Sequence, residues 1–275
     1  MVNATKVQIH QTLQNSRDWI SGEDLSRLLG ISRVAVWKHL QKMKDGGYPL
    51  ESDHRGYRLD PREDTLSPWA MEPYGDRIFH YPELPSTMDR ARELAESGAP
   101  GGILVLAEEQ TRGRGRMDRV WDSRYGGIYC TLITRPVLTL EEVGPFSRLV
   151  LDCLKETLVE DYGIPAEFRA PNDLLTSRGK IAGLLAEVSG EPDRVRYLNL
   201  GFGVNIRNHP RVPGRETVSL EELTGEPCLR RDFLFRLLPR LDRLPGISGG
   251  PEENSDTGSS AVPINRPHRK KETRK

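Results

Sequence analysis

Chemistry in this 275-residue chain is concentrated in four short segments. The sharpest is Gln110-Thr-Arg-Gly-Arg-Gly-Arg-Met-Asp-Arg-Val-Trp121, a glycine-arginine loop directly after an apolar run. Gly113 and Gly115 permit close approach of the backbone to a ligand and allow positive φ, while Arg112, Arg114, Arg116 and Arg119 supply guanidinium forks suited to phosphate oxygens. Trp121 offers a face for an adenine ring. Taken alone, the run also reads as a solvated basic loop or an RNA-binding RG segment, and with no Gly-Lys-Ser/Thr after it, it is not a P-loop.

The second segment is Arg169-Ala-Pro-Asn-Asp173 followed by Gly179-Lys-Ile-Ala-Gly-Leu-Leu-Ala-Glu187. Lys180 at a strand start suits a carboxylate or phosphate, and Asn172 and Asp173 suit a ribose hydroxyl or phosphate-bound magnesium; an Asx turn and a solvated lysine are the plainer alternative. Third comes Leu200-Gly-Phe-Gly-Val-Asn205, whose in-strand glycines mark either a ligand's close approach or a bulge. Fourth is Ser86-Thr-Met-Asp89, hydroxyls at a helix start that serve as an N-cap or bind a neutral urea or carboxyl group.

Residues 6–60 read as a helix, a helix-turn-helix and a hairpin wing. Ser21 and Asp24 stand at capping-box spacing before Leu25, Leu28 and Leu29, and Gly30 stops the helix. Ser32 caps the next one, whose stripe Val36, Leu40 and Met43 turns Arg33, Trp37, Lys38 and Gln41 outward; Ser32 and those four residues are the expected DNA-reading set. The hairpin spans 48–59 and turns near His54 to Gly56. Five prolines over 61–85 suggest a linker and an extended lead, which places a boundary near residue 64. Helices are expected over 88–97, 143–162 and 231–244, and strands over 103–108, 127–134, 180–188 and 197–204. Hairpin-like strand spacing argues for an α+β mixed sheet and not a doubly wound one. The Gly-, Pro- and Ser-rich segment 246–275 is expected to be a disordered tail, which gives three parts: 1–63, 64–245 and 246–275.

Forty basic residues balance forty acidic ones, so a nucleic-acid site must be local; residues 1–60 carry nine basic and seven acidic residues. No apolar run approaches the roughly 20 residues of a spanning helix and no signal peptide opens the chain, so no membrane partner and a cytoplasmic location are expected. Cys130, Cys153 and Cys228 lie far apart without metal-ligand spacing, so inert thiols and no protein-built metal site are expected.

The order Ser-Thr, Gln-x-x-Gly-Arg-Gly-Arg, Pro-Asn-Asp, Gly-Lys-x-Ala-Gly-x-Leu-x-Glu, Gly-x-Gly-x-Asn resembles the catalytic domain of biotin protein ligases, and residues 1–60 resemble the winged helix of the bifunctional bacterial form that represses biotin synthesis. The resemblance covers about residues 6–244. It implies a winged helix-turn-helix plus a central mixed-sheet domain of the biotin/lipoate ligase type, and an ATP-dependent biotin–[acetyl-CoA-carboxylase] ligase. Biotin would be activated as biotinyl-5'-AMP, with magnesium, and passed to a lysine of the biotin carboxyl carrier protein. Operator DNA and a second copy of the chain are the further partners implied. Biotin is expected on Ser86, Thr87, Met88, Gln110, Arg114, Gly115, Arg116 and Lys180, and ATP on Gly113, Arg119, Trp121, Asn172 and Asp173. Arg116 and Lys180 carry the catalytic roles. A lipoate-type ligase is disfavoured by the glycine-arginine loop.

The chain departs from the family pattern at Asp118, where glycine is common, at Met88, where asparagine is frequent, and at Arg169-Ala170, where Lys-Trp is usual. A β-rich C-terminal domain common in the family has no counterpart in 246–275. The alternative function is therefore a DNA-binding repressor with impaired transfer.

Overall fold

The structure, a computed structural model, describes residues 2–16, 18–60, 64–210, 212 and 214–247. The amino-terminal part is α1 (Ala4–Ser16), α2 (Gly22–Leu29), α3 (Arg33–Asp45) and the antiparallel hairpin of β1 (Leu50–Asp53) and β2 (Gly56–Leu59). The starts and stops follow local chemistry. Ser21 accepts from the Asp24 N–H, Gly30 closes α2 in the left-handed region at φ 65, and Ser32 accepts from the Ala35 N–H. Ile9, Leu13, Leu25, Val36, Leu40 and Met43 close one core between the helices and the hairpin. Gly56, at φ 132, is required because a Cβ there would strike the Ile20 carbonyl, and Ile20 pairs with Tyr57 to fasten the wing to the helices.

The rest is a seven-stranded sheet in the order β3 (Ile78–Leu84), β4 (Leu104–Gln110), β5 (Gly127–Thr134), β9 (Arg194–Asn205), β8 (Gly179–Glu191), β7 (Asp173–Thr176), β6 (Glu167–Arg169). The β3–β4 pair is parallel and the other pairs are antiparallel, so the sheet is mixed as expected. The parallel pair needs a crossover, which α4 (Thr87–Glu96) supplies while packing Ala91 and Ala95 on Val105, Ile133 and Tyr197. On the opposite face, α5 (Val143–Glu156) and α7 (Arg230–Leu241) cover the main core, with α6 (Leu220–Thr224) nearby. Alternation along β9 sends Leu198, Leu200, Phe202 and Val204 into that core, while Gly201 and Gly203 face the α4 side.

Residues 64–85 are not a bare lead. Leu66 and Met71 are fully buried, and 78–84 forms the edge strand β3, where Pro82 is tolerated because no neighbour needs its N–H. Asp64 meets Arg230, both side chains being 0% exposed, with Oδ2 at 2.8 Å from Nε. Glu108 takes another guanidinium nitrogen of Arg230 and, at 2.7 Å, the His80 ring. Burial alone would raise the Glu108 carboxyl's pKa; His80 and Arg230 together hold it below the usual range. Trp69 meets the amino-terminal part, edge-on to Tyr48 at 5.9 Å and beneath the Lys6 ammonium at 4.4 Å.

Strands β3, β6 and β7 and helix α6 were not expected, and the helix over 143–162 gives way to a π-helical turn at Thr157–Asp161. At the start of the segment 246–275, the Gly246 carbonyl accepts from Arg135 and Ile247 packs on the core; the expectation of a disordered tail otherwise falls on residues 248–275, which lie outside the described residues. All three cysteines are free and buried, and burial pushes the Cys153 thiol up to about 11. Among the described residues no helix is long and apolar enough to cross a membrane.

Candidate active site

The four segments converge on one cavity of about 350 Å³ on the α4 side of the sheet. Its floor is the glycine patch of β8 and β9. The Trp121 indole lies flat on that patch, since a Cβ on Gly183 would come within 2.9 Å of the ring and one on Gly203 would overlap it. Gly201 makes room for Met88, whose Sδ would be 2.8 Å from an added Cβ. The in-strand glycines thus admit side chains of the site itself. The Trp121 indole N–H is buried without an acceptor among the described residues.

Loop 113–121 is a small hairpin over the cavity. Gly115 N–H donates to the Arg119 carbonyl at 2.6 Å, Trp121 N–H donates to the Gly113 carbonyl at 2.9 Å, and Arg114 pairs with Val120. Positive φ, expected at the glycines, falls instead on Met117 at 56°. Gly113 is needed for closeness, because a Cβ would strike the Trp121 carbonyl and lie 2.5 Å from Ser123 Oγ; it packs behind the cavity and does not line it. Arg116 and Arg119 are exposed and line the mouth. The Asp118 side chain, a candidate partner for them, lies outside the described residues.

At the helix end, Ser86 caps α4 by accepting from the Met88 N–H at 3.3 Å. Gln110 Oε1 accepts from the Thr87 N–H at 2.8 Å and the Thr87 hydroxyl at 3.1 Å, and Gln110 Nε2 donates to Ser123 Oγ at 2.8 Å. Thr131 donates to Thr87 Oγ1 at 2.8 Å, and Ser123 donates to the Trp121 carbonyl at 3.0 Å. This chain fixes the start of α4 relative to the hairpin. Thr87 and Gln110 line the cavity, yet much of their hydrogen-bonding capacity is already used.

On the opposite wall Lys180 Nζ stands 2.6 Å from Asp173 Oδ1 and 4.7 Å above the Trp121 ring. Burial lowers the Lys180 pKa; Asp173 opposes the shift, and Arg215 and Arg119 add repulsion. Asn172 donates its side-chain amide to the Leu184 carbonyl, and its main-chain carbonyl accepts from the Leu184 N–H, which anchors the turn before β7. Asn205 similarly ties the Lys180 and Val218 carbonyls together, at 3.2 Å each. That link holds residues 215–218 beside Lys180, and Arg215 reaches Asp173 Oδ2 at 3.2 Å. Arg215 and Thr217 were missed in the sequence, for the segment after β9 has no periodicity to mark which of its residues turn inward. Among the described residues, six basic side chains (Arg114, Arg116, Arg119, Arg169, Lys180, Arg215) and two acidic ones (Asp122, Asp173) line the cavity, a balance suited to a polyanion. Among the described residues no group of three or more His, Cys, Asp or Glu could hold a metal.

Elsewhere, α3 and the wing enclose a groove lined by Arg33, Trp37, Gln41, Lys44, His54 and Arg55. Trp37 is 54% exposed, Arg33 lies 3.5 Å from Glu23, and Gln41 donates to Asp45 at 2.7 Å. The Ser32 hydroxyl accepts the Ala35 N–H as the cap, Lys38 is exposed, and Val34, not anticipated, is exposed beside them.

Two family models match separate stretches of the chain. Residues 6–58 match an HTH domain and residues 81–205 the biotin/lipoate A/B protein ligase family. The bifunctional ligase/repressor BirA of Bacillus subtilis (strain 168) is 38% identical over 237 residues, covering 82% of this chain and 73% of that protein. The biotin–[acetyl-CoA-carboxylase] ligase of Paracoccus denitrificans is 34% identical over 165 residues, or 58% of this chain and 68% of that one. The biotin protein ligase of Leishmania major in complex with biotinyl-5-AMP superposes with a TM-score of 0.51 at 27% identity, covering 61% of this chain and 74% of that structure. A winged helix, a seven-stranded mixed sheet and a cationic cavity where four motifs meet accompany that kinship, and the chain belongs to the biotin protein ligase family.

Proposed function

We propose that this chain is an ATP-dependent ligase that activates biotin as biotinyl-5'-AMP, transfers it to a lysine of the biotin carboxyl carrier protein of acetyl-CoA carboxylase, and represses transcription in response to biotin. The observation that supports it most is the convergence of the Ser86, Gln110–Trp121, Asn172–Lys180 and Gly201–Asn205 segments on one cavity with excess positive charge. In the first half-reaction a biotin carboxylate oxygen attacks the α-phosphorus of ATP, and the bond to the β,γ-phosphates breaks to release pyrophosphate. In the second, the neutral acceptor amine attacks the acyl carbon and AMP leaves with the bonding pair. Neither step needs a covalent enzyme intermediate, so this chain's residues supply position and charge.

Lys180 holds the reacting carboxylate and the phosphate oxygens it joins. Arg116 and Arg119 cover the charged intermediate. Ser86 and Met88 bound the biotin ring, with Thr87 and Gln110 setting the end of α4, and Trp121 lies under the nucleotide. Asn172 and Asp173 face the phosphates. Magnesium arrives with ATP as its counterion, since Asp173 is a single carboxylate already shared by Lys180 and Arg215. Ser32, Arg33, Trp37, Lys38 and Gln41 read operator DNA, and two copies of the chain would span two half-sites. A cytoplasmic location suits both the carrier and the operator. The test is incubation with biotin, ATP and magnesium, with and without carrier. Biotinyl-AMP and pyrophosphate in equal amounts, then biotin on one carrier lysine, are expected; no adenylate refutes the reading.

A further inference from the structure

Arg114 is expected on the ligand; it lines the cavity, and its guanidinium is also held by two carboxylates. Arg114 Nη2 lies 2.8 Å from Asp89 Oδ1 in the first turn of α4 and 3.1 Å from Glu187 Oε1 on β8. The other Glu187 oxygen accepts from Arg92, which also approaches Asp89 to 3.9 Å. Two arginines and two carboxylates therefore alternate around a neutral ring that joins three elements: the hairpin, the crossover helix and a central strand. Arg114 stands at the root of that hairpin, opposite Val120, while Arg116 and Arg119 at its tip face the cavity.

We propose that Arg114 is a positioning residue that holds hairpin 113–121 shut over the cavity through Asp89 and Glu187, so that this ring sets how long the adenylate remains bound. The inference rests on the reading of the cavity as an adenylate-forming site. Its physical basis is geometric. The hairpin's own hydrogen bonds, Gly115 to Arg119 and Trp121 to Gly113, fix its shape but not its position above the sheet. That position depends on Trp121 lying on the glycine floor, on the Ser123 hydrogen bond to the Trp121 carbonyl, and on the charged ring, which ties the hairpin to α4 and β8. The ring's members are partly exposed, 28–43%, so it is strong enough to bias closure and weak enough to open for exchange of substrate and product. It is also screened by salt.

Two readouts separate this proposal from the catalytic assignment. Trypsin cleavage after Arg116 and Arg119, followed by mass spectrometry on the full chain without ligand, reports opening of the hairpin whether or not an adenylate can form. Release of biotinyl-5'-AMP made in place from biotin, ATP and magnesium reports retention. Asp89→Asn with Glu187→Gln should cleave and release roughly three- to tenfold faster than the parent, with pyrophosphate release at saturating substrate changed less than about twofold. Glu187→Gln alone, which leaves α4 untouched, should shift in the same direction and keeps the test usable if the double variant does not fold. Arg114→Gln should match the double variant and add nothing to it, and added salt should speed release in the parent but not in the variants. Parental cleavage rates in the acid variants overturn the tether. So does an undiminished effect of Arg114→Gln in the acid-free background, which would put Arg114 on the ligand. An absence of adenylate in the parent refutes the catalytic reading alone, and cleavage then still decides the tether.

Discussion

Removing the Lys180 ammonium while leaving its neighbours in place is the most direct probe of the site. Its Nζ is 2.6 Å from Asp173, its side chain is 15% exposed, and its charge sits 4.7 Å above the Trp121 ring. A hydrogen bond to a charged group contributes about 1.5–3 kcal/mol, so Lys180→Ala should slow adenylate formation about 10- to 150-fold if the bond tightens as charge builds on phosphate. Asp173 is not stranded by the change, because Arg215 remains 3.2 Å from its other oxygen and is reachable by water, so the melting transition should persist. Pyrophosphate release at saturating biotin and ATP is the assay, with biotin binding measured separately. A fall in binding alone, with maximal rate unchanged, would place Lys180 in substrate capture and not in activation. The pH profile adds a second check. Burial lowers the Lys180 pKa, so the proton it needs is lost below the ordinary lysine range, and activity should fall on the alkaline side before a solvated lysine would titrate. An unchanged rate with a folded variant refutes the role given to Lys180.

Substituting Gly203 by Ala forces the Trp121 ring off the floor, and displacement of that kind should lower adenylation about 100-fold while circular dichroism stays native. Asp64→Asn removes one of the two carboxylates that meet the fully buried Arg230 and leaves Glu108 as its counterion, so chemical denaturation should show a loss of about 1–3 kcal/mol. His10 is held down to about 4, first by burial and then by Arg231, so the unfolded chain binds its proton while the folded one does not; its stabilising effect is complete above the ordinary histidine range and is lost as pH falls from about 6.5 to 4. Unfolding of the amino-terminal part should therefore register about 3 kcal/mol less stability at the acid end, and His10→Phe should remove most of that slope. Trp37→Ala should weaken operator binding about tenfold or more in a gel shift without altering adenylation, and unchanged retardation would take α3 off the DNA.

How much of this was legible in the sequence divides along physical lines. Elements whose ends are written in local chemistry were readable: Ser21, Gly30 and Ser32 delimit α2 and α3, and the run 127–134 is β5 to the residue. Elements fixed only by tertiary partners were not. Strand β3 is interrupted by Pro82 and owes its existence to pairing with β4, while β6 and β7 are three and four residues long and borrow their register from β8. The site divides in the same way. Motif order was enough to name part of the lining, since Ser86, Gln110, Arg116, Asp173 and Lys180 all reach one cavity, but not Arg215 or Thr217. Which polar group each would spend on its neighbours was not in the spacing: nothing in Gly-Arg-Gly-Arg tells that Arg114 turns to Glu187, 73 residues away, while Arg116 turns to the cavity.

That division of labour within one loop explains how so cationic a segment can be both held and available. Were every arginine of 112–119 free, their mutual repulsion would open the hairpin; were every one paired, no charge would remain for a phosphate. Position along the hairpin resolves the conflict. At its root Arg114 is paired with Asp89 on α4 and Glu187 on β8, while the tip, turned by Met117 at φ 56, carries Arg116 and Arg119 at the mouth of the cavity. The glycines between them are therefore spacers of closeness more than of angle: Gly113 lets the strand pass against the Trp121 carbonyl, and Trp121 in turn lies on Gly183 and Gly203. Gly113 and Trp121 sit in one segment, Gly183 and Gly203 in two others, and the fit among them requires all three to meet in the fold.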